Sequence, residues 1–442
     1  MPENRDSIHC RAAAEEGARC IRAGRIAFLA FVAALGGILF GYDTAVVSGT
    51  ISAVAGKFSL DAIAKGWYVG CALTGSIAGV AVAGWLSDRF GRKPTMLFSS
   101  VLFSVSAIGC ALCAGFTDLV IYRIVGGVGI GIVSIVSPVY ISEISPPKVR
   151  GTMVALYQLA ITLGFVLAYL VNYLILVFVN VADLWRVMLG AEAVITLLFF
   201  GVIFLIPESP RWLALRSDGS LKARRIPWGE LRRPGIIKAV AIGCAIAVLG
   251  QFMGVNAVLY YGPEIFANAG FAAKESSFST VLVGLVNMVS TVIAVFLVDR
   301  VGRKALVYFG VSLMIACLVA IGVLFRTGAT GVAFVAVFLA YIFAQAVSVS
   351  AVVFVLLSEM YPDKVRGVAM SIAGFALWIG TYLVGQFTPW CMDVLGSSGT
   401  FFFFAAMCVP YLMIVWRLVP DTTGKPLEEV EAFWNAKKGK DK

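Results

Sequence analysis

The chain is poor in the residues on which most enzyme chemistry depends. It has a single histidine in 442 residues, His9, and only 14% of its residues are charged. One histidine in the N-terminal tail cannot build a histidine-ligated metal centre or orient a nucleophile as catalytic triads require. No nucleophile–base set, cofactor motif or metal-ligand cluster can be assembled, so an enzyme is the least favoured class and no cofactor is expected. Nine cysteines are scattered, six of them (Cys71, Cys110, Cys113, Cys244, Cys317, Cys408) inside apolar runs. Cys110 and Cys113 have a Cys-x-x-Cys spacing without a basic activator, which reads as small packing residues rather than a redox pair.

The scarcity of charge also excludes an ordinary soluble protein, which averages about 25% charged residues. What replaces charge is apolar sequence, 60% of the chain. A hydrocarbon core about 30 Å thick takes some 20 apolar residues per spanning helix. Twelve such runs can be drawn, at 26–50, 66–87, 94–115, 119–141, 152–178, 186–206, 237–260, 277–298, 305–325, 331–357, 368–390 and 400–418. The one sizeable linker, 207–236, carries Pro207, Pro210, Pro227, Pro234 and many arginines. The expected organisation is therefore a tail (1–25), six spans (26–206), the linker, six more spans (237–418) and a second tail (419–442). The fold class is all-α integral membrane, in two six-helix bundles.

A net charge of +10 could suggest nucleic acid, but its distribution excludes that partner. Basic residues gather in alternate loops and both tails, while the opposite loops hold only Lys57, Lys65, Arg186, Lys274 and Arg326. This is the positive-inside pattern, and it predicts cytoplasmic termini. The first 25 residues lack a short apolar core, so they read as a cytoplasmic tail rather than a signal peptide.

Two charged signatures each occur twice. Asp88-Arg89-Phe-Gly91-Arg92-Lys93 returns as Asp299-Arg300-Val-Gly302-Arg303-Lys304, 211 residues later. Ser142-Glu143, followed by Lys148-Val149-Arg150-Gly151, returns as Ser358-Glu359 and Lys364-Val365-Arg366-Gly367, 216 residues later. Near-constant offsets mark one unit of roughly 200 residues used twice, the layout of a transporter with its solute between the halves. Orientation needs only Lys and Arg, so acidic residues repeated beside them predict salt bridges that lock helix ends. Arg92, Lys93, Arg303 and Lys304 are expected in loops of three or four residues. Purely topogenic charge is the alternative.

Charges deep in a span are costly and mark function by default. Asp43, Arg123 and Glu192 fall at a common depth in the outer part of the membrane, which allows an Asp–Arg pair with a second carboxylate nearby. A carboxylate that stays ionised beside Arg123, and takes a proton when parted from it in a dry site, can carry protons. The alternatives are a static ion pair and, for Glu192, simple neutralisation of Arg123.

Together with Gly37-Ile-Leu-Phe40-Gly-Tyr-Asp43 in the first span, Pro207-Glu208-Ser209-Pro210-Arg211-Trp212 after the sixth and Val419-Pro420-Asp421-Thr422-Thr-Gly424-Lys425 after the last, these motifs are similar to those of the sugar porter branch of the major facilitator superfamily. The pattern is most like that of bacterial sugar–proton symporters. The resemblance runs from about residue 28 to 431 and implies the major facilitator fold, with twelve transmembrane helices as two pseudo-symmetric bundles. It implies that Asp43 marks proton coupling and pairs with Arg123. Sugar hydroxyls would be held by Gln158, Gln251, Asn256, Tyr260 and Asn287, with Trp378 offering a flat face to C–H groups. Amides suit that work because each offers donors and acceptors, and Asn256 and Tyr260, four apart, share a helix face. An isolated amide in a membrane helix is otherwise a helix–helix hydrogen-bonding residue. Glu208, Arg211 and the repeated Asp, Glu and Arg positions would form gate charges on the cytoplasmic side.

The chain also departs from the family. Gly250 stands where a second Gln is usual, Ser350-Ala351 replaces Gly-Pro, Phe354 replaces Trp, Leu377 replaces a polar residue, and Phe165 replaces another Gln. The indole donor and the proline break of the tenth helix are gone, and the pocket is less polar. A deoxy sugar, pentose, cyclitol or less polar solute would fit as well as a hexose. The expected function is proton-coupled import of a monosaccharide or related polyol by alternating access, with a lipid bilayer as environment and a functional monomer. Facilitated diffusion is the alternative within transport, and a transport-inactive sugar sensor the alternative outside it.

Overall fold

The computed structural model describes residues 5–146, 149–217, 228–329, 331–362 and 365–419, with side chains described from Phe28 onward except at 150, 215, 228, 299 and 358. All regular structure in these residues is helical. Twelve segments are long and apolar enough to cross a membrane: Phe28–Phe58, Ala62–Phe90, Arg92–Leu112, Phe116–Ile144, Gly151–Phe178, Leu184–Ile203, Pro234–Asn268, Ala273–Val298, Arg303–Thr327, Val332–Leu357, Arg366–Val394 and Gly396–Arg417. They are called spans one to twelve below. The expected twelve are all present, but several run on past the apolar stretch that marked them, the first to Phe58 and the seventh to Asn268. Helical hydrogen bonding does not stop where hydrophobicity does. Asp43 therefore lies at the middle of span one, fifteen residues from each end (28, 43, 58).

In lipid, apolar faces have no reason to find one another, so spans associate through close packing. Spans two and four show how. A Cβ added at Gly75 or Gly79 would strike the carbonyls of Ile124 or Val128, and one at Gly127 or Gly131 those of Ala72 or Ser76. Two small-xxx-small stripes thus put the backbones in contact. Arg123 lies one turn from Gly127, on the element these glycines fix.

Between the halves, span two packs on span eleven, span five on span eight, and span one on the upper part of span seven. The polar contacts described between the halves lie toward one end of the bundle, the end at which span one finishes. There the Lys65 ammonium meets Glu264 at 3.0 Å, Gln386 donates to the Ile63 carbonyl at 3.0 Å, and Tyr169 donates to the Leu259 carbonyl at 2.7 Å. The repeated charges occupy the other end, called the basic end.

At the basic end the loops are shorter than expected. Spans two and three are joined by Gly91 alone (φ 105°) and spans eight and nine run up to Gly302 (φ 90°). Those dihedrals favour glycine, and they let Arg92 and Arg303 be the first residues of their helices rather than loop residues.

Two spans are interrupted. Span six is continuous through Ala191, which keeps helical dihedrals (φ −59°, ψ −26°) and donates to the Val187 carbonyl at 2.9 Å, so Glu192 lies inside Leu184–Ile203. Span seven breaks between Phe252 and Val255, with Gly254 at φ 92°. Span ten contains a π-helical turn over Ala346–Ser350. The loss of the proline in span ten therefore does not leave a regular helix: the Gln345 amide donates to the Ser350 hydroxyl at 2.8 Å across the wide turn.

Candidate functional site

The first cluster is the intramembrane one. Arg123 donates to the Asp43 carboxylate at 2.7 Å and to the Asp43 carbonyl at 3.3 Å. Asp43 is 1% exposed, Arg123 2% and Glu192 2%. Burial at this level makes the pair costly to form and more costly to break, because either partner alone would be an unpaired charge out of water. Oδ2 of Asp43, Oε1 of Glu192 and Nε of Arg123 have no hydrogen-bond partner among the described residues, and the Glu192 carboxyl lies within electrostatic reach of both Asp43 and Arg123. Asp43 is the carboxylate that bonds the guanidinium, and Glu192 is a second buried carboxyl beside that pair. Spans one, four and six converge here, as the common depth of the three residues in sequence suggested.

The second cluster lies between the halves, on span seven. In a continuous helix, Gln251 and Asn256, five residues apart, would point about 140° away from each other. The break at Met253–Gly254 turns them together: Asn256 Nδ2 donates to Gln251 Oε1 at 2.6 Å. The Thr381 hydroxyl of span eleven reaches the same oxygen at 3.1 Å. Gln251 accordingly has its acceptor occupied and its amide N–H groups to offer, while Asn256 keeps its carbonyl. Gln158 is exposed on span five. Trp378 is stacked on Phe40 of span one, ring centroids 5.7 Å apart and planes 26° from parallel, so one of its faces is already covered. Tyr260 is 2% exposed, one residue from the Leu259 carbonyl that Tyr169 bonds. It belongs to the contact between halves more than to an open wall. Asn287 is buried at 8% in span eight. Gly250 points toward Val349 and Tyr411, into its own half.

Sequence reasoning passed over Thr381, Phe40, Gln345 and the Lys65–Glu264 pair. Thr381 and Gln345 carried the signal of polar residues inside apolar spans, whereas Phe40 carried none. Lys65 had been counted only as loop charge.

The third cluster is at the basic end, and its geometry repeats as the sequence does. Arg92 grips Glu143 through Nε and Nη2, both at 3.0 Å, and its Nη1 donates to the Ser87 carbonyl at 2.9 Å. In the second half Arg303 meets Glu359 at 3.0 Å and reaches the Val298 carbonyl at 3.4 Å. Ser87 and Val298 are 211 apart, the motif's own offset. The first-half cluster extends further. Ser209 donates to Glu143 at 2.5 Å, and Glu208 accepts from the Arg92 backbone amide at 2.9 Å. Glu208 so caps the otherwise unsatisfied N-terminal amides of span three. Trp212 donates to the Asp88 carbonyl at 2.9 Å, docking the helix Pro210–Ser217. Asp88 pairs with Arg92 at 3.1 Å. These pairs lie within each half. Arg366 donates to the Tyr361 carbonyl at 3.3 Å. Arg89 lies over the Trp85 and Phe90 rings, and Arg211 and Arg300 are exposed. The side chains of Arg150 and Asp299, and the motif beyond Val419, lie outside the described residues.

At the far end Lys57 bonds Asp183 at 3.1 Å and Arg186 adds a second cation at 3.3 Å. The hydrogen bond from Lys57, then the charges of Lys57 and Arg186, hold the Asp183 carboxyl below its ordinary range.

Comparison with known proteins places this arrangement. Residues 29–227 and 220–434 match the family model described as sugar (and other) transporter. The chain is 36% identical to the arabinose-proton symporter of Bacillus subtilis, with 93% of this chain and 95% of that protein aligned. It is 35% identical to the D-xylose-proton symporter of Escherichia coli, over 92% and 95%. Among solved structures, one described as the inward-open conformation of the E. coli xylose transporter superposes with a TM-score of 0.82 at 34% identity, covering 92% of this chain and all of that one. The paired halves, the charge motifs repeated in sequence and geometry, and these matches over nearly the full length lead to one conclusion: this multi-pass membrane protein belongs to the sugar porter family of the major facilitator superfamily.

Proposed function

We propose that the protein imports a monosaccharide or related polyol by proton symport, in a mechanism of alternating access. The observation that carries this reading is the buried Asp43–Arg123 pair with Glu192 beside it. A static brace needs one carboxylate for one guanidinium; a second buried carboxylate is what a proton would neutralise. The pair joins spans one and four, and span one also carries Phe40, which stacks on Trp378 of the other half. A change of charge at Asp43 can thus bear on the helix that meets the solute space. The proton is the coupling ion, and no other cofactor enters the reading.

With the basic end in the cytoplasm, as the positive-inside pattern has it, the halves meet at the external end and the solute space faces inward. The match to a relative described as inward-open supports that reading. The arabinose and xylose named for the relatives make pentoses the first solutes to try. A cell-membrane monomer with both termini inside completes it.

The test is uptake into proteoliposomes across a panel of pentoses, hexoses and polyols, with and without an imposed pH gradient. Accumulation that needs the gradient, and is lost in Asp43→Asn while exchange persists, is the expected result. Equilibration indifferent to the gradient would make the protein a facilitative carrier, and binding without uptake a sensor.

A further inference from the structure

The two interrupted spans of the second half meet at one hydrogen bond. In a continuous helix the Met253 carbonyl would accept from the amide four residues on, that of Ala257. After the break the next segment starts one residue later, with Val258 donating to the Gly254 carbonyl at 3.1 Å. The Met253 carbonyl is taken by a side chain instead: the Tyr341 hydroxyl of span ten donates to it at 2.8 Å. Met253 and Tyr341 are both 0% exposed, so without the hydroxyl this carbonyl would be a buried unpaired group. Tyr341 lies one turn before Gln345, whose amide holds the π turn of span ten. The other side of the break is filled by Phe404 of span twelve, whose ring a Cβ at Gly254 would strike.

What these two buried side chains fix lies on either side of the break. Gln251 stands one residue before the end of the first segment, and Asn256 one residue after the start of the second. The angle at Met253–Gly254 therefore sets how their amides face. Thr381 steadies Gln251 from span eleven, whereas the aim of Asn256 follows the segment it sits on.

Resting on the sugar-porter reading, in which these amides hold solute hydroxyls, we infer that Tyr341 is a positioning residue of the solute site. Its hydroxyl, with the Phe404 ring opposite, holds the break in span seven at the angle that presents Gln251 and Asn256 to the sugar. Tyr341 acts through the backbone at Met253, and the same bond ties the amide pair to span ten.

Tyr341→Phe removes one oxygen and keeps the ring. The break then samples other angles and binding must select the competent one, so the dissociation constant and the KM of uptake should rise together by about five- to fiftyfold. Maximal uptake per folded molecule should stay within about twofold. A residue that merely supports the fold would do the reverse, lowering the amount of active protein and leaving KM alone. Calorimetry on the purified full chain and uptake in proteoliposomes supply both quantities, with D-xylose, L-arabinose, D-glucose and myo-inositol as probes. Para-aminophenylalanine in place of Tyr341, which puts a donor back on the same ring, should return KM to within about threefold of the wild type. Phe404→Leu loosens the break from its other side and should raise KM by about three- to tenfold; it carries the test where Tyr341→Phe does not fold. An unchanged KM in either folded variant overturns the inference, as does a rise in Tyr341→Phe that the amino side chain fails to reverse. Those results leave the wild-type chain binding a sugar, so only this inference falls. If the wild-type chain binds none of the probes, the sugar reading falls and this inference with it.

Discussion

Replacing both intramembrane carboxylates together should cost far more than replacing them singly. Arg123 is 2% exposed and takes its short contact, 2.7 Å, from Asp43. In Asp43→Asn that charge-assisted bond weakens, worth about 1.5–3 kcal/mol, but Glu192 remains to balance the guanidinium. In Glu192→Gln the Asp43–Arg123 pair is untouched, and a change within about 1 kcal/mol is expected. In the double variant Arg123 is a buried cation without a counter-charge, the situation that costs about 3–5 kcal/mol. The double should therefore exceed the sum of the singles by about 1–3 kcal/mol, the scale of coupling between residues in one network. Denaturant unfolding of the purified protein in detergent gives the four free energies, and proteoliposome uptake shows whether gradient-driven accumulation is already gone in Asp43→Asn. Additivity within about 0.5 kcal/mol would refute the idea that both carboxyls serve one guanidinium.

At the basic end, Glu143→Gln should destabilise by about 3–5 kcal/mol because Glu143 and Arg92 are 6% and 8% exposed. Glu359→Gln should cost about 1 kcal/mol, with its pair 26% and 17% exposed; equal losses in unfolding would show that burial is not the reason. Glu264→Gln should raise the population open at the opposite end, read as faster labelling of a cysteine placed at Tyr382, which packs against Gly70 of the other half; unchanged labelling would reduce Lys65–Glu264 to decoration. Gln251→Ala removes the acceptor shared by Asn256 and Thr381, and should weaken solute binding by roughly one to two decades in calorimetry. The Asp183 carboxyl is held low first by the Lys57 hydrogen bond, so its contribution is full above the range in which free Asp titrates and is lost as pH falls through its own lowered value. Asp183→Asn should lower the melting temperature near neutral pH, and the difference should shrink as pH falls below the range in which a free Asp titrates.

The fold was legible because a bilayer leaves few choices. Apolar runs of about 20 residues have one way to satisfy their backbone, and two charge motifs recurring at offsets of 211 and 216 residues announced the repeat. Asp43, Arg123 and Glu192 were legible for the same reason, since charge in a span is too costly to be incidental. The solute site was only half legible. Resemblance supplied Gln251, Asn256 and Trp378, yet pattern could not say that Asn256 spends a donor on Gln251 or that Phe40 covers one face of Trp378.

What the sequence by itself determined is what depends on composition along the chain: the spans, their duplication, the costly charges and the polarity of the loops. Only the tertiary structure decided what depends on helix rotation and breaks. The turn at Gly254 aims Gln251 at Asn256, the π turn after Gln345 survives the loss of a proline, and single glycines make Arg92 and Arg303 helix residues instead of loop residues. Which end of the bundle is closed was also a tertiary matter. It rests on contacts such as Lys65 with Glu264, 199 residues apart, and the energy of such a contact exists only once the two halves have met.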